Sequence, residues 1–286
     1  LICIYNLIMI PKSYYYLSEI YGLQGKHNES HLNLEKAIEC EDVYWEASCK
    51  FANYLNQQQK YEESIIHYKI ALSHAGKSFN ILTNLSIAQL FSGKYNDAFK
   101  SLEEAEKLEN NSARIYDLRG AIYMATSDHE KAISAFTKAI AIDPNLPHSF
   151  HRLGKCYYIK GDIQQSEYNY KKAISLDNQQ YVFYLDLGSL YFNIGHIQDA
   201  LQNYQLAEKI DPKNPIILNN IGNCYTSLKD TQEAMRYFDK VIEIDKNYHN
   251  AYINKSIIMT NIGLYDQALE LLNKALKIND KSFEAY

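Results

Sequence analysis

The sequence predicts an all-α chain built from repeated antiparallel helix pairs. Three observations carry this prediction: a small residue recurs at a constant step of 34, other small and bulky residues recur at fixed distances from it, and glycine and proline fall at turns. The recurring small residues are Ala37, Ala71, Ala105, Ala139, Ala173, Ala207, Val241 and Ala275. Because a fixed period of about 20–50 residues is typical of repeat proteins, we expect an array of one helical unit.

The repeat boundaries follow when that recurring residue is numbered position 27 of each unit. Residues 11–282 then form eight repeats without insertions, which are 11–44, 45–78, 79–112, 113–146, 147–180, 181–214, 215–248 and 249–282. Residues 1–10 are apolar, and we expect them to be the end of a preceding helix. Residues 283–286 match the start of a ninth repeat, so we expect the native protein to continue and the uncapped C-terminal end to self-associate.

The packing positions within a repeat are also predictable. Position 8 is small in every repeat, position 20 is Ser or Ala, and position 24 is bulky; repeat six has Gly188, Ala200 and Tyr204 there. Residues spaced by three, four and seven lie on one face of a helix. Small residues let two helices approach closely, so we expect Gly188 to lie under the ring of Tyr204.

Glycine and proline mark the turns. Glycine occupies position 15 in five repeats, where it can adopt the positive φ that ends a first helix. Pro11, Pro147 and Pro215 stand at position 1, where a missing N–H costs nothing. Pro144 and Pro212 stand just past second helices. We therefore expect no proline to interrupt a helix.

These features resemble the tetratricopeptide repeat (TPR), a helix–turn–helix unit of 34 residues. Repeats one to three depart most from its signature, because Ser or Ala replaces Gly at position 8. Repeat six shows the signature best, with Tyr184, Leu187, Gly188, Tyr191, Ala200, Tyr204, Ala207 and Pro212. The resemblance covers residues 11–282. It implies an all-α, right-handed superhelix, the TPR solenoid, whose first helices line a concave groove that binds protein.

Composition narrows the class of protein and its location. A net charge of −5 and a pI near 6.0 argue against nucleic-acid binding. The strict period argues further against an RNA reader of the pentatricopeptide type. Five cysteines without a C-x-x-C pair favour a reducing, intracellular location, which is the cytoplasm, with the cilium or nucleus as options. Ten apolar residues at the start are too few for a membrane span, which takes about 20.

The sequence gives no sign of catalytic chemistry. It contains no phosphate-binding glycine loop, H-E-x-x-H or G-x-S-x-G motif, so we expect no enzyme, metal or cofactor. His148 and His151 lie three apart but lack a third metal ligand nearby. Cys156 and Cys224 both stand at position 10 among packing residues, which indicates a place in the core rather than a nucleophile.

One enzyme-related alternative stays open. In O-linked N-acetylglucosamine transferases, a TPR region precedes the catalytic region, and an asparagine that recurs at position 6 holds the substrate backbone. This chain has asparagine there in three of its eight repeats, as Asn84, Asn220 and Asn254. The chain could therefore be the substrate-recognition region of such an enzyme.

The resemblance also implies which residues bind a partner, because TPR grooves are lined by positions 2, 5, 6, 9, 12 and 13. At these positions repeat five is basic, with Arg114 of repeat four expected beside it, and repeats seven and eight are rich in amides. The basic residues are Arg114, His148, His151, Arg152 and Lys155, and the amides are Asn219, Asn220, Asn223, Asn250 and Asn254. We expect a scaffold in a larger assembly that binds a partner helix or an extended peptide, with an acidic residue on the basic group and its backbone on the amides.

Chaperone-binding TPR proteins use a more specific carboxylate clamp. It requires Lys at position 5 and Asn at 9, then Asn at 6 of the next repeat, then Lys at 2 and Arg at 6 of the third. No repeat of this chain has Lys at position 5, and Ile87 and Leu118 break the pattern behind Arg152. The sequence therefore disfavours a co-chaperone of that kind.

Overall fold

A computed structural model describes residues 2–40 and 44–283, with side chains described for 10–40 and 44–278. Every regular element among these residues is an α-helix, which confirms the predicted all-α class. The first eight helices are α1 Ile2–Leu23, α2 His27–Ile38, α3 Trp45–Gln57, α4 Tyr61–Ala75, α5 Phe79–Phe91, α6 Tyr95–Leu108, α7 Ala113–Ala125 and α8 His129–Ile142. The next eight are α9 Pro147–Ile159, α10 Ile163–Leu176, α11 Tyr181–Asn193, α12 Ile197–Ile210, α13 Pro215–Ser227, α14 Thr231–Ile244, α15 His249–Asn261 and α16 Tyr265–Phe283.

The helices divide into two compact units. The first unit contains α1 to α8 and ends at Pro144, and the second begins at Asn145 and contains α9 to α16. Within each unit an odd-numbered helix pairs with the helix that follows it, and each pair packs against the next pair. A short turn joins the two helices of a pair, so they run antiparallel.

Helix starts agree with the repeat frame read from the sequence. Seven first helices begin at position 1 of their repeats, which are Trp45, Phe79, Ala113, Pro147, Tyr181, Pro215 and His249. Pro147 and Pro215 occupy the first helical turn, where the missing N–H has no partner to lose. In repeat six, Gly188, Ala200 and Tyr204 are all buried, as their spacing predicts.

The first helix departs from the expectation at Pro11. Helix α1 begins at Ile2 and continues through Pro11 to Leu23, so the prediction that no proline interrupts a helix is wrong there. Residues 2–10 belong to the first helix of repeat one rather than to a separate preceding helix. Pro11 has no N–H to donate to the carbonyl group of Leu7. Pro11 is nevertheless buried, and the helix continues on both sides of it.

The last helix is longer than the repeat frame predicts. Helix α16 runs from Tyr265 to Phe283, past the end of repeat eight at residue 282. Its sequence contains no proline or glycine from Tyr265 to Phe283 that would interrupt the helix. The rest of the expected ninth-repeat start, residues 284–286, lies outside the described residues.

Close approach of the two helices in a pair depends on glycine at position 8. A Cβ atom added to Gly188 would lie 2.7 Å from Cε1 and 2.8 Å from Cδ1 of Tyr204. Optimal contacts between carbon atoms are about 3.5–4.0 Å, so the ring fills the space that the missing side chain leaves. This arrangement confirms the predicted packing, and Gly222 under Phe238 repeats it in the next pair.

The turn after the first helix needs a positive φ even where glycine is absent. Gly195 has φ 82°, and the same position in other repeats holds Gln59, Ser127 and Lys229 with φ values of 59°, 60° and 62°. The turn geometry is therefore set by the packing of the helix pair. Glycine is its least strained occupant, because a left-handed conformation brings the Cβ of other residues close to the following carbonyl oxygen.

Candidate functional site

Polar side chains connect the first helices of neighbouring repeats at a recurring pair of positions. Position 9 of one repeat contacts position 6 of the next at four junctions, which are Glu19–Lys50, Asn53–Asn84, Lys155–Asp186 and Asn223–Asn254. First helices of successive repeats pack side by side, so these two positions face each other. Both positions belong to the set predicted to line a groove. The site is therefore a series of polar contacts between repeats.

In the second unit this junction is an amide cluster of Asn219, Asn223 and Asn254. The Nδ2 group of Asn254 donates to Oδ1 of Asn219 at 3.0 Å and to Oδ1 of Asn223 at 2.9 Å. Both hydrogens of that amide are therefore used within the protein. The groups that stay available are Oδ1 of Asn254, which accepts, and Nδ2 of Asn223, which donates, on two half-buried residues. Asn219 is 6% exposed and serves to hold Asn254.

The two other predicted amides lie beside this cluster. Asn250 is exposed at the start of α15, and its side chain hydrogen bonds with the hydroxyl of Tyr248. Asn220 is half-buried on α13, and no side chain in the described part of the chain hydrogen bonds with its amide. Asn220 and Asn250 therefore extend the polar surface of the cluster along two neighbouring first helices.

The predicted basic group of repeat five carries its own counter-ion. Nε2 of His151 lies 2.7 Å from Oδ2 of Asp186, and Nζ of Lys155 lies 3.8 Å from the same oxygen. His151 is only 8% exposed, with its ring 4.8 Å from that of Phe183. The structure therefore departs from the expectation at His151, because a neighbouring carboxylate already binds the side chain that was expected to attract one.

The remaining basic residues of α9 differ in environment. His148 is exposed and meets the ring of Phe183 edge-on at 5.3 Å, and Arg152 is half-buried. Among the described residues, no group of three or more His, Cys, Asp or Glu side chains is placed to hold a metal ion. Asp186 of α11 thus contacts two basic residues of α9, His151 and Lys155.

In the first unit Arg114 begins a chain of hydrogen bonds across three repeats. Nη2 of Arg114 donates to Oδ1 of Asn84 at 2.6 Å, and Nδ2 of Asn84 donates to Oδ1 of Asn53 at 3.1 Å. The hydroxyl of Tyr68 donates to the same oxygen of Asn53 at 2.6 Å. An arginine only donates, so it fixes the orientation of Asn84 and, through it, that of Asn53. Arg114 is exposed, and the Asn84 side chain to which it donates is a neutral amide rather than a carboxylate.

Sequence reasoning missed Asn53 and Tyr68 and gave Asn84 no partner. The sequence contained a partial signal, because Asn53 at position 9 and Asn84 at position 6 match two of the five clamp positions in repeats two to four. Arg114 stands at position 2 of repeat four, where the clamp has Lys. Repeat two has Cys49 at position 5, where the clamp requires Lys. Arg114 lies in the first unit and the other predicted groove residues lie in the second, so their expected convergence stays a prediction.

The cysteines of the first helices belong to the core. Cys156 and Cys224 are fully buried, as their flanking residues predicted. Burial raises the pKa of Cys156 to about 11 and that of Cys224 to about 12. Both thiols therefore stay protonated near neutral pH, which makes them poor nucleophiles. As for the membrane, the described helices include none with both the length and the apolar character that a crossing requires.

Comparison with known proteins connects this architecture to one family. Models described as tetratricopeptide repeat or TPR repeat match residues 113–146, 147–180, 188–228, 215–248 and 249–282. Together these matches cover more than half of the chain. Four of the five have the bounds of a repeat as read from the sequence.

Individual relatives agree with these matches. The chain is 27% identical over 93 residues to the Hsp70-Hsp90 organizing protein of Triticum aestivum, and 24% identical over 133 residues to anaphase-promoting complex subunit 3 of Schizosaccharomyces pombe. These alignments cover 32% and 46% of this chain, but only 16% and 20% of the two relatives. The crystal structure of a tetratricopeptide repeat protein from Parabacteroides merdae matches 88% of this chain and 99% of its own, with a TM-score of 0.66 and 16% identity.

The fold, the repeat matches and the relatives lead to the same conclusion. Helix pairs with a 34-residue period, glycine under an aromatic ring and first helices joined by polar contacts are the features of one repeat type. The repeats and relatives support a role as a protein–protein interaction scaffold. The chain belongs to the tetratricopeptide repeat family.

Proposed function

We propose that this chain binds an extended peptide segment of a partner protein along its first helices, as one component of a larger assembly. The observation that carries the proposal is the amide cluster of Asn219, Asn223 and Asn254. Its hydrogen bonds hold two side chains in fixed orientations on neighbouring helices. Surface amides held in this way lose little freedom on binding, which lowers the cost of recognition.

The amide cluster has the right hydrogen-bonding groups for a peptide backbone. Nδ2 of Asn223 can donate to a backbone carbonyl, and Oδ1 of Asn254 can accept from a backbone N–H. These groups recognise an extended chain without requiring a particular side chain. Asn220 and Asn250 continue the same surface. The ligand backbone would therefore run across α13 and α15.

We propose that acidic residues of the ligand select the direction and position of binding. Arg114 has a guanidinium that Asn84 orients and that can bind a carboxylate through two N–H groups. In the second unit, His148, Arg152 and Lys155 surround a region where Asp186 competes for an acidic ligand. Arg114 is therefore the stronger candidate for carboxylate binding.

The experiment begins with affinity capture of partners on the full chain, followed by mapping of the bound segment as a synthetic peptide. Calorimetry then compares Asn223→Ala/Asn254→Ala, Arg114→Ala and the wild type, with Asn178→Ala as a control in an exposed loop outside the first helices. We expect each of the first two variants to bind at least tenfold more weakly and the control to bind normally. Folded variants that bind with wild-type affinity would place the site on another surface.

A second proposal concerns self-association. Tyr265, Leu269, Leu272 and Leu276 recur along α16 at spacings of four, three and four, so they share one helical face, and they are 37–65% exposed. We propose that two copies pack through this face. Sedimentation at increasing concentration should show a dimer that Leu269→Glu/Leu276→Glu abolishes, whereas a monomer at every concentration would contradict the proposal.

Two further points complete the proposed role. We infer that the chain acts by binding rather than by catalysis, because its described first helices present oriented polar groups suited to recognition. Four cysteines, Cys40, Cys49, Cys156 and Cys224, are free thiols, which suits a reducing compartment such as the cytoplasm, the cilium or the nucleus.

The alternative role, substrate recognition for an O-linked N-acetylglucosamine transferase-like enzyme, would use the same first helices.

A further inference from the structure

A pocket of about 280 Å³ opens in the first unit where α6, α7 and α8 meet. Its size is near the lower end of the roughly 300–1,000 Å³ of ligand pockets, which suits one side chain better than a large ligand. Aromatic rings form part of its wall and cationic side chains stand around it. The lining residues are Phe99, Glu103, Tyr116, Arg119, Tyr123, Lys131, Ser134, Ala135 and Lys138.

In repeat seven the corresponding space is filled by the side chain of Tyr237, which is 6% exposed. The ring of Tyr237 stacks on that of Tyr225, with centroids 5.7 Å apart and planes inclined by 23°. Nζ of Lys240 lies 4.6 Å from the centre of the Tyr237 ring. The hydroxyl of Tyr237 donates to Oε2 of Glu208 at 3.1 Å. Four residues therefore contact this tyrosine. Tyr225 stacks on the ring, Lys240 and Arg236 each place a cation 4.6 Å from its centre, and Glu208 accepts its hydrogen bond.

Three of the four residues that contact Tyr237 have identical counterparts three repeats earlier, whereas Arg236 corresponds to Ser134. Tyr123 corresponds to Tyr225, Lys138 to Lys240, and Glu106 to Glu208. The position of Tyr237 itself is occupied in repeat four by Ala135, which is the smallest residue at that position in any of the eight repeats. Repeats three and four thus have three of the residues that contact a tyrosine side chain but lack the tyrosine.

We propose that the pocket of repeat four binds a tyrosine side chain presented by a partner protein. The ring enters over Ala135 and stacks on Tyr123, Lys138 covers it, and its hydroxyl donates to Glu106. This binding surface is separate from the first-helix positions used in the proposed function. It gives the scaffold a second contact with a defined residue of its partner.

Glu106 lies beside the pocket rather than in its lining, and the ring of Tyr123 already contacts the ring of Phe99, 5.0 Å away, and Nζ of Lys131, 5.6 Å away. The occupant therefore requires the exposed Lys131 side chain to move aside.

Glu106 is held in place by Arg119, whose Nη1 and Nη2 lie 3.1 and 2.8 Å from its two oxygens, and a carboxylate oxygen can accept a further hydrogen bond. Lys138 is exposed, with Nζ 5.6 Å from the centre of the Tyr116 ring, so it can move over an incoming ring. Such contacts between a cation and an aromatic ring strengthen where water is excluded.

The chemistry also distinguishes tyrosine from two close relatives. Phenylalanine could stack in the pocket but would leave Glu106 without its hydrogen bond. Phosphotyrosine would place a dianion beside the Glu106 carboxylate, which repels it. Tyrosine is therefore expected to bind more tightly than either.

The test titrates N-acetyl-L-tyrosinamide into the full chain and follows backbone amide signals by NMR. In the wild type we expect saturable shifts at Tyr123, Ala135 and Lys138, with at least threefold weaker binding of the phenylalanine and phosphotyrosine analogues. Ala135→Tyr should fill the pocket from within, remain folded and lose the binding. Thr137→Tyr adds the same side chain on an exposed position of α8 outside the pocket, so it should bind the probe as the wild type does.

Each other outcome would overturn the proposal. Absence of shifts at these residues would show that the pocket takes no tyrosine. Undiminished binding to Ala135→Tyr would place the probe elsewhere. Unfolding of Ala135→Tyr, with Thr137→Tyr folded, would show that the space cannot hold a ring. Tighter binding of the phosphotyrosine analogue would show that the cationic side chains around the pocket bind an anion rather than a tyrosine ring.

Discussion

The contact between Gly188 and Tyr204 gives a quantitative test of the packing. In Gly188→Ala the new Cβ would lie 2.7 Å from Cε1 of Tyr204, about 1 Å closer than carbon atoms normally approach. The ring has little room to move, because Tyr204 is 2% exposed and its hydroxyl lies 3.1 Å from Oγ of Ser189. Either the two helices separate or the ring leaves its preferred position.

Two effects of opposite sign decide the result. Alanine favours a helix over glycine by up to about 1 kcal/mol. Overpacking a filled core costs about 1–3 kcal/mol, and a rigid neighbour places this site in the upper part of that range. We therefore expect Gly188→Ala to lower the free energy of unfolding by about 1–2 kcal/mol, measured by urea denaturation.

Gly22 provides a matched control, since a Cβ added there would meet only Oγ of Ser30, at 3.5 Å. Gly22→Ala should leave the free energy of unfolding unchanged or raise it by up to about 1 kcal/mol. Replacing Tyr204 by Leu in the Gly188→Ala background should recover part of the loss in a double-mutant cycle. If Gly188→Ala is as stable as Gly22→Ala, the close approach of the helix pair does not govern stability at position 8.

Three further predictions concern turns, caps and pH. Ser127→Gly should stabilise the chain by about 0.5–1 kcal/mol in urea denaturation, because φ is 60° there and glycine adopts that conformation without strain; a loss of stability would contradict this reasoning. Asp162→Ala should cost about 1 kcal/mol by the same measurement, because Oδ1 of Asp162 accepts from the third backbone N–H of α10 at 3.0 Å; no loss would mean that water replaces the cap. Hydrogen bonds from Lys171 and Tyr191 hold the pKa of Glu167 in the folded protein below its usual 4.5. The ionised Glu167 therefore stabilises the folded protein above pH 4.5, and this contribution is lost as pH falls through the lower, folded-state pKa. The difference in unfolding free energy between wild type and Glu167→Gln should therefore shrink below about pH 4.5, and a constant difference would refute the assignment.

Much of the fold could be predicted because each repeat obeys the same local rules. Position 8 must be small where a ring such as Tyr204 crosses it, and the turn at position 15 favours glycine. A small residue and a glycine therefore recur in the sequence with the 34-residue period. The exceptions are also physical. Pro11 lies within α1 although proline usually ends or begins a helix, and Ser127 takes a positive φ without being glycine. Tertiary packing overrides local preference at these positions.

The sequence by itself therefore determined the repeat period, the pairing of helices and which positions of each repeat lie on its first helix. Only the tertiary structure decided which side chains there are already engaged with one another. Asp186 binds His151, Asn254 donates both amide hydrogens within the protein, and Arg114 is oriented by Asn84. These partners are about 30–35 residues apart in sequence. A period identifies equivalent positions, but hydrogen-bond direction and charge pairing depend on the particular residues that two neighbouring repeats bring together.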